Sequence, residues 1–379
     1  MKIMIYSQHV LGIGHFFRSM EIAKALFRHQ VLLVEGGDPV EGLVPPDHVK
    51  RVFLPPLMMD AEFTKIEAHG GEVEEIKKRR GAILMETCLD FAPDIFLTEL
   101  FPFGRKQFRF ELMPVLEQIR ESGGPTRLVC SLRDILVEKR NQADYEKGVL
   151  SILNGHYHLL LIHADPGLVR LEDTFAGVSQ IRVPIRYTGF VVRKPHPLKK
   201  HHPHRTVVAS SGGGKVGVDL LESTISAFRG ISAEDVRLRV FLGPFMERGD
   251  REGLERLAAS DARITLRPFT LDFLSELAEA DLSISMAGYN TCMDILSVGL
   301  KALVYPFTQN REQAMRASKL EEIGVLKVLA SLDESQLRER IMEALEEWHP
   351  GPRRLPDLDG ARATARVLEE CFGFSGHPL

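Results

Sequence analysis

The sequence predicts an α/β fold made of two Rossmann-like, doubly wound domains. Short apolar runs alternate with longer segments of helical periodicity along almost all of the 379 residues, which is typical of βαβ units around a parallel sheet. The alternation stops at a basic, proline-rich stretch near the middle and then restarts with the same design. The length also favours two domains, since one domain averages about 150 residues.

The first domain is predicted over residues 1–190. Ser19–Phe27 has its apolar residues on one helix face, and the charged run Glu72–Arg80 is expected to form a helix with a solvated face. Six short apolar runs between such helical segments are expected to be strands. They are Ile3–Ser7, Val31–Val34, Val52–Leu54, Asp94–Thr98, Arg127–Ser131 and Leu159–His163.

The second domain is predicted over residues 205–359, after a linker at 191–204. The linker, VVRKPHPLKKHHPH, has three prolines and no apolar periodicity, so its histidines are interpreted as solvated linker residues rather than metal ligands. The helical stretch Gly360–Phe372, within 360–379, is a candidate for crossing back to complete the first domain. The predicted strands are Thr206–Ala209, Leu238–Leu242, Ile264–Leu266, Leu282–Ser285 and Ala302–Tyr305.

Composition and charge exclude several classes of protein. A net charge of −4 lacks the basic excess of a nucleic-acid binder. The four cysteines are scattered without metal-ligand spacing and are expected to be reduced thiols. The N-terminus lacks a signal-peptide pattern, and no apolar run reaches the ~18 residues of a transmembrane segment. We therefore expect a cytoplasmic protein, with peripheral membrane contact left open.

A glycine-rich loop with a histidine joins the first predicted strand to the first helix. Residues 11–18 read LGIGHFFR. Such a loop exposes backbone N–H groups, including that of Gly14, at the positive end of a helix, where Arg18 adds charge. His15 at this junction is a candidate general base, since imidazole takes up protons near neutral pH. A capping or structural histidine is the competing interpretation.

A second glycine cluster opens the second domain. Ser211, Gly212, Gly213, Gly214 and Lys215 follow the first strand there and precede a helix. Consecutive glycines let the backbone approach a phosphate closely, and the serine and lysine add a hydroxyl donor and a cation. The spacing of a P-loop is absent. The cluster therefore predicts a phosphate-binding loop, with a plain tight turn as the alternative.

Two further polar junctions follow strands of the second domain. Gly288, Asn290 and Thr291 lie after the strand at Leu282–Ser285, where open α/β sheets bind ligands. Asp294 comes one helical turn later and is suited to accept hydrogen bonds from a ribose diol, although an exposed surface Asp is the competing interpretation. The polar loop 306–313, PFTQNREQ, is a candidate for contact with sugar hydroxyls.

Together these junctions resemble glycosyltransferase family 28 and its relatives, which include the peptidoglycan N-acetylglucosaminyltransferase. The likeness runs over most of the chain, and the first loop is most similar to that of a branch of predicted glycosyltransferases. That branch is also expected to carry segments like those found here at Pro102–Arg105, His163–Pro166 and Ala287–Thr291. Several motifs in the right order are far more specific than any one alone.

The resemblance implies a GT-B fold, with two Rossmann-like domains facing across a cleft. It implies a hexosyl or N-acetylhexosaminyl transferase that takes a sugar from a nucleoside diphosphate donor, UDP-linked and similar to UDP-N-acetylglucosamine. Transfer would invert the anomeric carbon without a metal or a cofactor. The acceptor is unknown, and an apolar or lipid-linked molecule is one candidate.

The resemblance also assigns roles to residues of the second domain. Residues 212–214, with Ser211, Lys215, Asn290 and Thr291, would hold the diphosphate, together with Gly14 and Arg18 of the first loop. Phe269 is similar in position to the residue whose backbone recognises uracil, and Asp294 stands where the family has a ribose-binding Glu. Gly288, Glu312 and Gln313 would contact the donor sugar. Glu312 replaces the first of two family glutamines, which leaves the identity of the sugar open.

Three other functions stay open on the same residues. A family of UDP-sugar hydrolases carries the same GxGHxxR loop, so water could replace the acceptor. A nucleotide-sugar 2-epimerase would need carboxylates such as Glu99 and Asp134, at predicted strand ends. A non-catalytic nucleotide-sugar-binding module is the third. Separately, an apolar group is interpreted as core or as the wall of an acceptor site; it comprises Leu11, Ile13, Phe16, Phe17, Phe101 and Phe103.

Overall fold

The chain divides into two compact units. In the computed structural model, unit 1 comprises Met1–Val191 with Pro356–Leu379, and unit 2 comprises Val192–Leu355. The residues that the structure describes are 1–9, 14–37, 39, 44–59, 66–68, 71–195, 203–213, 216–307, 311–348, 351 and 355–373. Within those residues, every helix is too short or too polar to cross a bilayer.

Unit 1 is built on a parallel sheet with the strand order of a doubly wound fold. Its described residues form seven strands in the order β3-β2-β1-β6-β7-β8-β9, and β4 and β5 form a separate antiparallel pair. The strands are β1 Lys2–Gln8, β2 Gln30–Gly36, β3 Val49–Phe53, β4 Leu57–Met59, β5 Ile66–Ala68, β6 Ile95–Glu99, β7 Arg127–Arg133, β8 Leu159–His163 and β9 Ile185–Tyr187. The helices that connect them are α1 Gly14–Ala25, α2 Val73–Phe91, α3 Arg109–Glu121 and α4 Gln142–His156.

Unit 2 repeats the design with a six-stranded parallel sheet over its described residues. The order is β12-β11-β10-β13-β14-β15. The strands are β10 Arg205–Ser210, β11 Val236–Phe241, β12 Ile264–Arg267, β13 Leu282–Met286, β14 Ala302–Tyr305 and β15 Lys327–Val328. The helices are α5 Val218–Arg229, α6 Arg248–Ala258, α7 Phe273–Glu279, α8 Tyr289–Val298, α9 Arg311–Glu322 and α10 Glu334–Glu346. The predicted α/β class is confirmed.

Burial explains why the central strands are continuous apolar runs. β6 and β8 are buried at every residue, as expected for parallel strands covered by helices on both faces. α5 buries one face against the unit 2 sheet through Leu221, Ile225 and Phe228, which follow helical spacing. Each such side chain contributes about 1.5–3 kcal/mol when fully buried.

The C-terminal helix α11, Gly360–Phe372, returns to unit 1 and packs on α1. The backbone N–H of Phe190 donates to the carbonyl of Asp357 at 2.7 Å, and Val191 bridges Asp359. These bonds explain why unit 2 ends at Leu355 rather than at 359. Unit 2 also begins at Val192 instead of 205, because Arg193 is bonded to residues of unit 2.

Each sheet has one point where the strand order reverses. In unit 1 it lies between the neighbours β1 and β6, and in unit 2 between β10 and β13. At such a point the connections leave on opposite faces of the sheet, which opens a crevice beyond the carboxyl ends of the strands. The residues that follow β1, β6, β10 and β13 therefore form the candidate sites.

Candidate functional site

The crevice of unit 1 brings together His15 and Glu99. His15 is in the first turn of α1, which follows β1, and Glu99 is the last residue of β6. The imidazole Nδ1 lies 2.7 Å from a carboxylate oxygen of Glu99. His15 keeps 21% of its side chain exposed, whereas Glu99 is buried. A partly exposed imidazole is thus oriented by a buried carboxylate that contacts its Nδ1.

Arg18 completes this group from the next turn of α1. Its guanidinium donates to the same carboxylate oxygen of Glu99 and lies 3.1 Å from His15 Nδ1. The shorter contact from Nδ1 is to the carboxylate, which only accepts hydrogen bonds, so the ring proton belongs on Nδ1. That tautomer leaves a lone pair on Nε2, the arrangement of a general base.

Burial and charge set the protonation of the pair. Burial lowers the pKa of His15 to about 3, although the Glu99 carboxylate opposes the shift. Burial by itself raises the pKa of Glu99, but His15, Arg18 and Arg105 outweigh it and hold that pKa below its usual range. At neutral pH the imidazole is neutral and the carboxylate is ionised.

Arg105 reaches Glu99 from the loop that follows β6. Its guanidinium lies 3.5 Å from the second carboxylate oxygen. Leu100 and Arg105 have positive backbone φ angles of 66° and 59°, which residues other than glycine rarely adopt. Such strain is typical of functional loops. In the sequence, Glu99 stands out only as a strand-end carboxylate suited to an epimerase, and Arg105 only as part of a motif.

A second buried histidine lies on the same edge of the sheet. His163, the last residue of β8, is bonded through Nε2 to Ser131 Oγ at 2.7 Å and through Nδ1 to Thr188 Oγ1 at 2.8 Å. Burial lowers its pKa to about 3. In the same motif, His163–Pro166, Asp165 accepts a hydrogen bond from the backbone N–H of Asp357 at 3.0 Å. The motif therefore connects the segment before α11 to the rest of unit 1, and both ring nitrogens of His163 are hydrogen-bonded.

The predicted apolar group of unit 1 is mostly interior. Phe16, Phe101 and Phe103 are each 2% exposed or less, while Phe17 is half-buried and stacks edge-on against Phe16. Leu11 and Ile13 lie outside the described residues, as do the neighbours 10 and 12. Core packing accounts for Phe16, whereas Phe101 and Phe103, although buried, also line a cavity of unit 1.

The crevice of unit 2 collects the N-termini of two helices. Ser211, Gly212 and Gly213 follow β10 and lead towards α5, whose N-cap Gly217 has φ +86°. The backbone N–H of Gly212 donates to Ser210 Oγ at 3.1 Å. Ser211 is buried, and among the described residues its hydroxyl has no hydrogen-bond partner. Gly214 and Lys215 lie outside the described residues.

The second of these helices is α8, which follows β13. Gly288 is its N-cap, and the first helical bond runs from the N–H of Cys292 to the carbonyl of Gly288 at 3.0 Å. The N–H groups of residues before Cys292, including Asn290 and Thr291, have no acceptor within the helix. The positive end of the helix dipole adds to them. Two helix N-termini beside neighbouring strands are suited to an anion with several oxygens.

Asp294, on α8, is already engaged by an arginine. Both of its carboxylate oxygens accept from Arg193, which also donates to the carbonyl of Leu271 at 3.2 Å. The Asp294 side chain is 5% exposed, so the exposed-surface interpretation is wrong. A ribose hydroxyl would have to share this carboxylate with the guanidinium. Phe269, by contrast, is 41% exposed.

Glu312 and Gln313 begin α9 and also have partners. Glu312 is buried and forms an ion pair with Arg316 at 2.6 Å, and Arg316 donates to the carbonyl of Ala287 at 3.2 Å. The side-chain oxygen of Gln313 accepts the backbone N–H of Phe307 at 3.0 Å. These bonds connect the start of α9 to the loop before Gly288. Residues 308–310 between them lie outside the described residues.

The chemistry available in the two units is complementary. Unit 1 holds a neutral imidazole beside a buried carboxylate, and unit 2 presents the N-termini of α5 and α8. No group of three His, Cys, Asp or Glu side chains spaced to hold a metal ion occurs in the part of the chain that the structure describes.

Comparison with known proteins identifies relatives of unit 2 first. Residues 240–357 match the family model of the glycosyltransferase family 28 C-terminal domain. The chain is 32% identical over 130 residues to a UDP-N-acetylglucosamine–N-acetylmuramyl-(pentapeptide) pyrophosphoryl-undecaprenol N-acetylglucosamine transferase from Acidithiobacillus ferrooxidans, a match of 31% of this chain and 36% of that protein. The match to such transferases thus spans about a third of their length in the first case, rising to 62% for the relative from Rubrobacter xylanophilus.

Solved structures match over both units. A putative UDP-N-acetylglucosamine 2-epimerase from Listeria monocytogenes superposes with a TM-score of 0.68 at 15% identity, covering 100% of this chain and 98% of that one. MurG from Acinetobacter baumannii superposes with a TM-score of 0.53 at 17% identity, covering 97% and 94%. At these identities the matches establish the fold, which is GT-B, and the predicted resemblance to family 28 is confirmed.

Proposed function

We propose that this chain, a GT-B protein with a glycosyltransferase family 28 C-terminal domain, transfers a sugar from a nucleoside diphosphate donor to an acceptor hydroxyl. The observation that carries the proposal is the His15–Glu99 pair at the strand-order reversal of unit 1. A neutral imidazole oriented by a buried carboxylate is the group that sugar transfer to a hydroxyl requires.

In the proposed reaction His15 acts as the general base. Its Nε2 takes the proton of the acceptor hydroxyl as the oxygen attacks the anomeric carbon of the donor sugar. The Glu99 carboxylate, 2.7 Å from Nδ1, stabilises the imidazolium that forms. A positioned base of this kind contributes about 10²- to 10⁴-fold to the rate. Attack by the acceptor and departure of the diphosphate in one step would invert the anomeric carbon.

The departing diphosphate is assigned to unit 2. The N-termini of α5 and α8 supply N–H groups and the positive ends of two dipoles. Ser211 supplies a buried hydroxyl that has no hydrogen-bond partner within the described residues. Gly213, Gly214 and Lys215, with Gly14 and Arg18, complete the predicted diphosphate set. Because these groups can balance the developing charge, we propose that transfer needs no metal.

We propose a UDP-linked donor of the N-acetylglucosamine type. The proposal rests on the names of the family 28 relatives, which act with UDP-N-acetylglucosamine. Phe269, which is exposed, remains the candidate for contact with the uracil ring of the donor. Asp294 remains the candidate for the ribose, which it would bind while still paired with Arg193. For the sugar, Gly288, Glu312 and Gln313 remain the candidates, and a sugar hydroxyl would have to share Glu312 with Arg316 and the Gln313 oxygen with the N–H of Phe307.

For the acceptor we propose an apolar or lipid-linked molecule carrying the reacting hydroxyl. The proposal follows the pyrophosphoryl-undecaprenol in the names of the relatives. A cytoplasmic protein that meets a membrane surface fits such an acceptor, and that location is part of the proposal.

The first experiment measures release of nucleoside diphosphate from UDP-N-acetylglucosamine and from other UDP-, GDP- and dTDP-sugars. Each donor is tested without an acceptor and then with a small-molecule cell extract, and products are identified by mass. His15→Ala should abolish the reaction. His156→Ala is the matched control, because His156 lies at the end of α4 and its ring nitrogen Nδ1 is 3.2 Å from the carbonyl oxygen of Ile152 in the same helix.

The outcomes separate the candidate functions. Release that requires the extract and yields a heavier, sugar-bearing product supports the transferase. Rapid release without an acceptor, lost in His15→Ala, makes the chain a UDP-sugar hydrolase in which His15 activates water. Binding of UDP-sugars without turnover of any donor supports a binding module and contradicts the proposal.

A further inference from the structure

Unit 1 contains a cavity to which the proposed reaction assigns no substrate. It encloses about 690 Å³ between the loop after β6, the start of α3 and the N-terminal half of α4. A volume of this size suits a small molecule. The side chains that define its character are Phe103, Arg105, Phe108, Lys139, Tyr145 and Val149.

The walls of the cavity are aromatic and rigid. Phe103 and Phe108 are buried, and the Tyr145 hydroxyl donates to the carbonyl of Phe103 at 2.7 Å. Phe103 and Tyr145 also pack edge-on against the ring of Phe175. Aromatic faces fixed in this way favour a flat apolar body over a flexible polar one.

The charges around the cavity are predominantly positive. Arg105, Lys106, Arg109 and Lys139 all line it. Asp144 is the acidic side chain among the lining residues, and its carboxylate accepts a hydrogen bond from Asn141 at 2.5 Å. Four cations against one bonded carboxylate give a potential that attracts anions.

Arg105 is the most unusual of these cations. Its side chain is 7% exposed, and its backbone is held at φ +59°. The buried Nε and Nη2 make no hydrogen bond among the described residues, and the nearest carboxylate, Glu99, is shared with Arg18 and His15. Burial lowers the pKa of Arg105. The guanidinium therefore lacks a full counter-charge of its own.

We propose that this cavity is a binding site for a small anion with a flat apolar body, of the aryl phosphate class. Arg105 would recognise the anionic group, since a guanidinium fits the oxygens of a phosphate. Lys139, Lys106 and Arg109 would add attraction at the rim. The aromatic walls would hold the ring. The residues that line this site are different from those assigned to the donor, and its existence does not depend on His15 acting as a base.

Two glycines of α4 give a matched pair of variants. Gly148 lines the cavity, and a Cβ built there meets nothing within 4 Å, so the backbone accepts a side chain and Gly148→Leu would place apolar atoms at the cavity. Gly155, two turns later on the same helix, also has open space around a Cβ but does not line the cavity. Both substitutions raise helix propensity alike, so a difference between them reports on the cavity.

The test is a calorimetric titration of the full chain with 1-naphthyl phosphate. We expect one site per chain, binding at least about tenfold weaker in Gly148→Leu, and wild-type binding in Gly155→Leu. 1-Naphthol, which has the same ring without the charge, and inorganic phosphate, which lacks the ring, should each bind at least about tenfold more weakly.

Two results would overturn the site. One is equal binding of 1-naphthol and 1-naphthyl phosphate, which would mean that the cations recognise nothing. The other is unchanged binding in Gly148→Leu, which would place the probe elsewhere. The titration is repeated in His15→Ala, so loss of the proposed transferase activity and loss of this site are read independently.

Discussion

Replacing Glu99 with glutamine tests the proposed base most directly. In the wild type the Glu99 carboxylate lies 2.7 Å from His15 Nδ1. The substitution keeps the size of the side chain and one oxygen near Nδ1 but removes the negative charge. The imidazolium formed during transfer then loses its counter-charge, and the amide can hold either tautomer of the ring. We expect kcat to fall about 10²- to 10⁴-fold, which is about 3–5 kcal/mol of transition-state stabilisation.

The same substitution also weakens the fold, so it needs a control. Arg18 and Arg105 lose their shared carboxylate, and breaking a buried pair costs about 3–5 kcal/mol. Glu111→Gln is matched, because Glu111 is also fully buried and pairs with an arginine, Arg80, at 2.6 Å. Its hydrogen bonds are to Tyr6 and Arg80 rather than to His15 or Glu99. It should lose similar stability and keep kcat.

The assay is release of nucleoside diphosphate at saturating donor, at a temperature where circular dichroism shows both variants folded. A domain with the usual 5–15 kcal/mol of stability tolerates either change at low temperature. The reasoning is refuted if Glu99→Gln keeps kcat within about threefold of the wild type. It is also refuted if Glu111→Gln loses as much activity as Glu99→Gln.

Three further predictions concern the other parts of the two sites. Ser211→Ala should leave stability unchanged, since the hydroxyl has no partner among the described residues, yet weaken UDP binding about tenfold by calorimetry. Ser210→Ala, which removes the bond to Gly212, should instead destabilise the loop. His163 is neutral in the fold, with a pKa of about 3, and protonates near 6.5 when unfolded, so stability falls below pH 6.5 by about 1.4 kcal/mol per pH unit from this group. Urea unfolding at acid and neutral pH should show a shallower acid loss in His163→Gln. Arg193→Ala should cost about 3–5 kcal/mol in thermal unfolding by leaving Asp294 buried without its partner, and an unchanged melting temperature would contradict that pairing.

The fold was largely predictable because the central strands are buried on both faces. β1, β7 and β8 contain the predicted runs, and β6 lies one residue later than predicted at each end. An apolar run is what burial on both faces demands. β9 and β15 escaped prediction because they are three and two residues long and half-exposed at sheet edges. Their formation depends on the neighbouring strand rather than on their own sequence.

Boundaries were less predictable than the elements themselves. The first helix was expected at Ser19–Phe27, whereas α1 spans Gly14–Ala25. The apolar pattern detects the face that packs on the sheet, but the first turn of a helix is defined by backbone geometry that any residue can adopt. The consequence matters for function, because His15 lies inside that first turn and Arg18 one turn later.

The candidate site was predictable in its residue types but not in its pairings. His15 follows from the glycine loop, whereas its carboxylate, Glu99, lies 84 positions away in sequence. The pairing of Arg193 with Asp294 spans 101 positions. Which strand ends meet is decided by the strand order, with β1 beside β6, and no local pattern encodes that order.

Because local sequence does not reveal these pairings, it also does not show which predicted ligand-binding residues already have a partner in the fold. Asp294 and Glu312 were chosen as acceptors for hydroxyl groups, yet each is bonded to an arginine in the fold. Among the described residues the buried hydroxyl of Ser211 has no hydrogen-bond partner, and a buried donor without a partner costs about 1–3 kcal/mol. An acceptor such as the proposed diphosphate would remove that cost. Measuring UDP binding in Ser211→Ala and Asp294→Asn side by side therefore ranks the two kinds of group, and we expect the larger loss in Ser211→Ala.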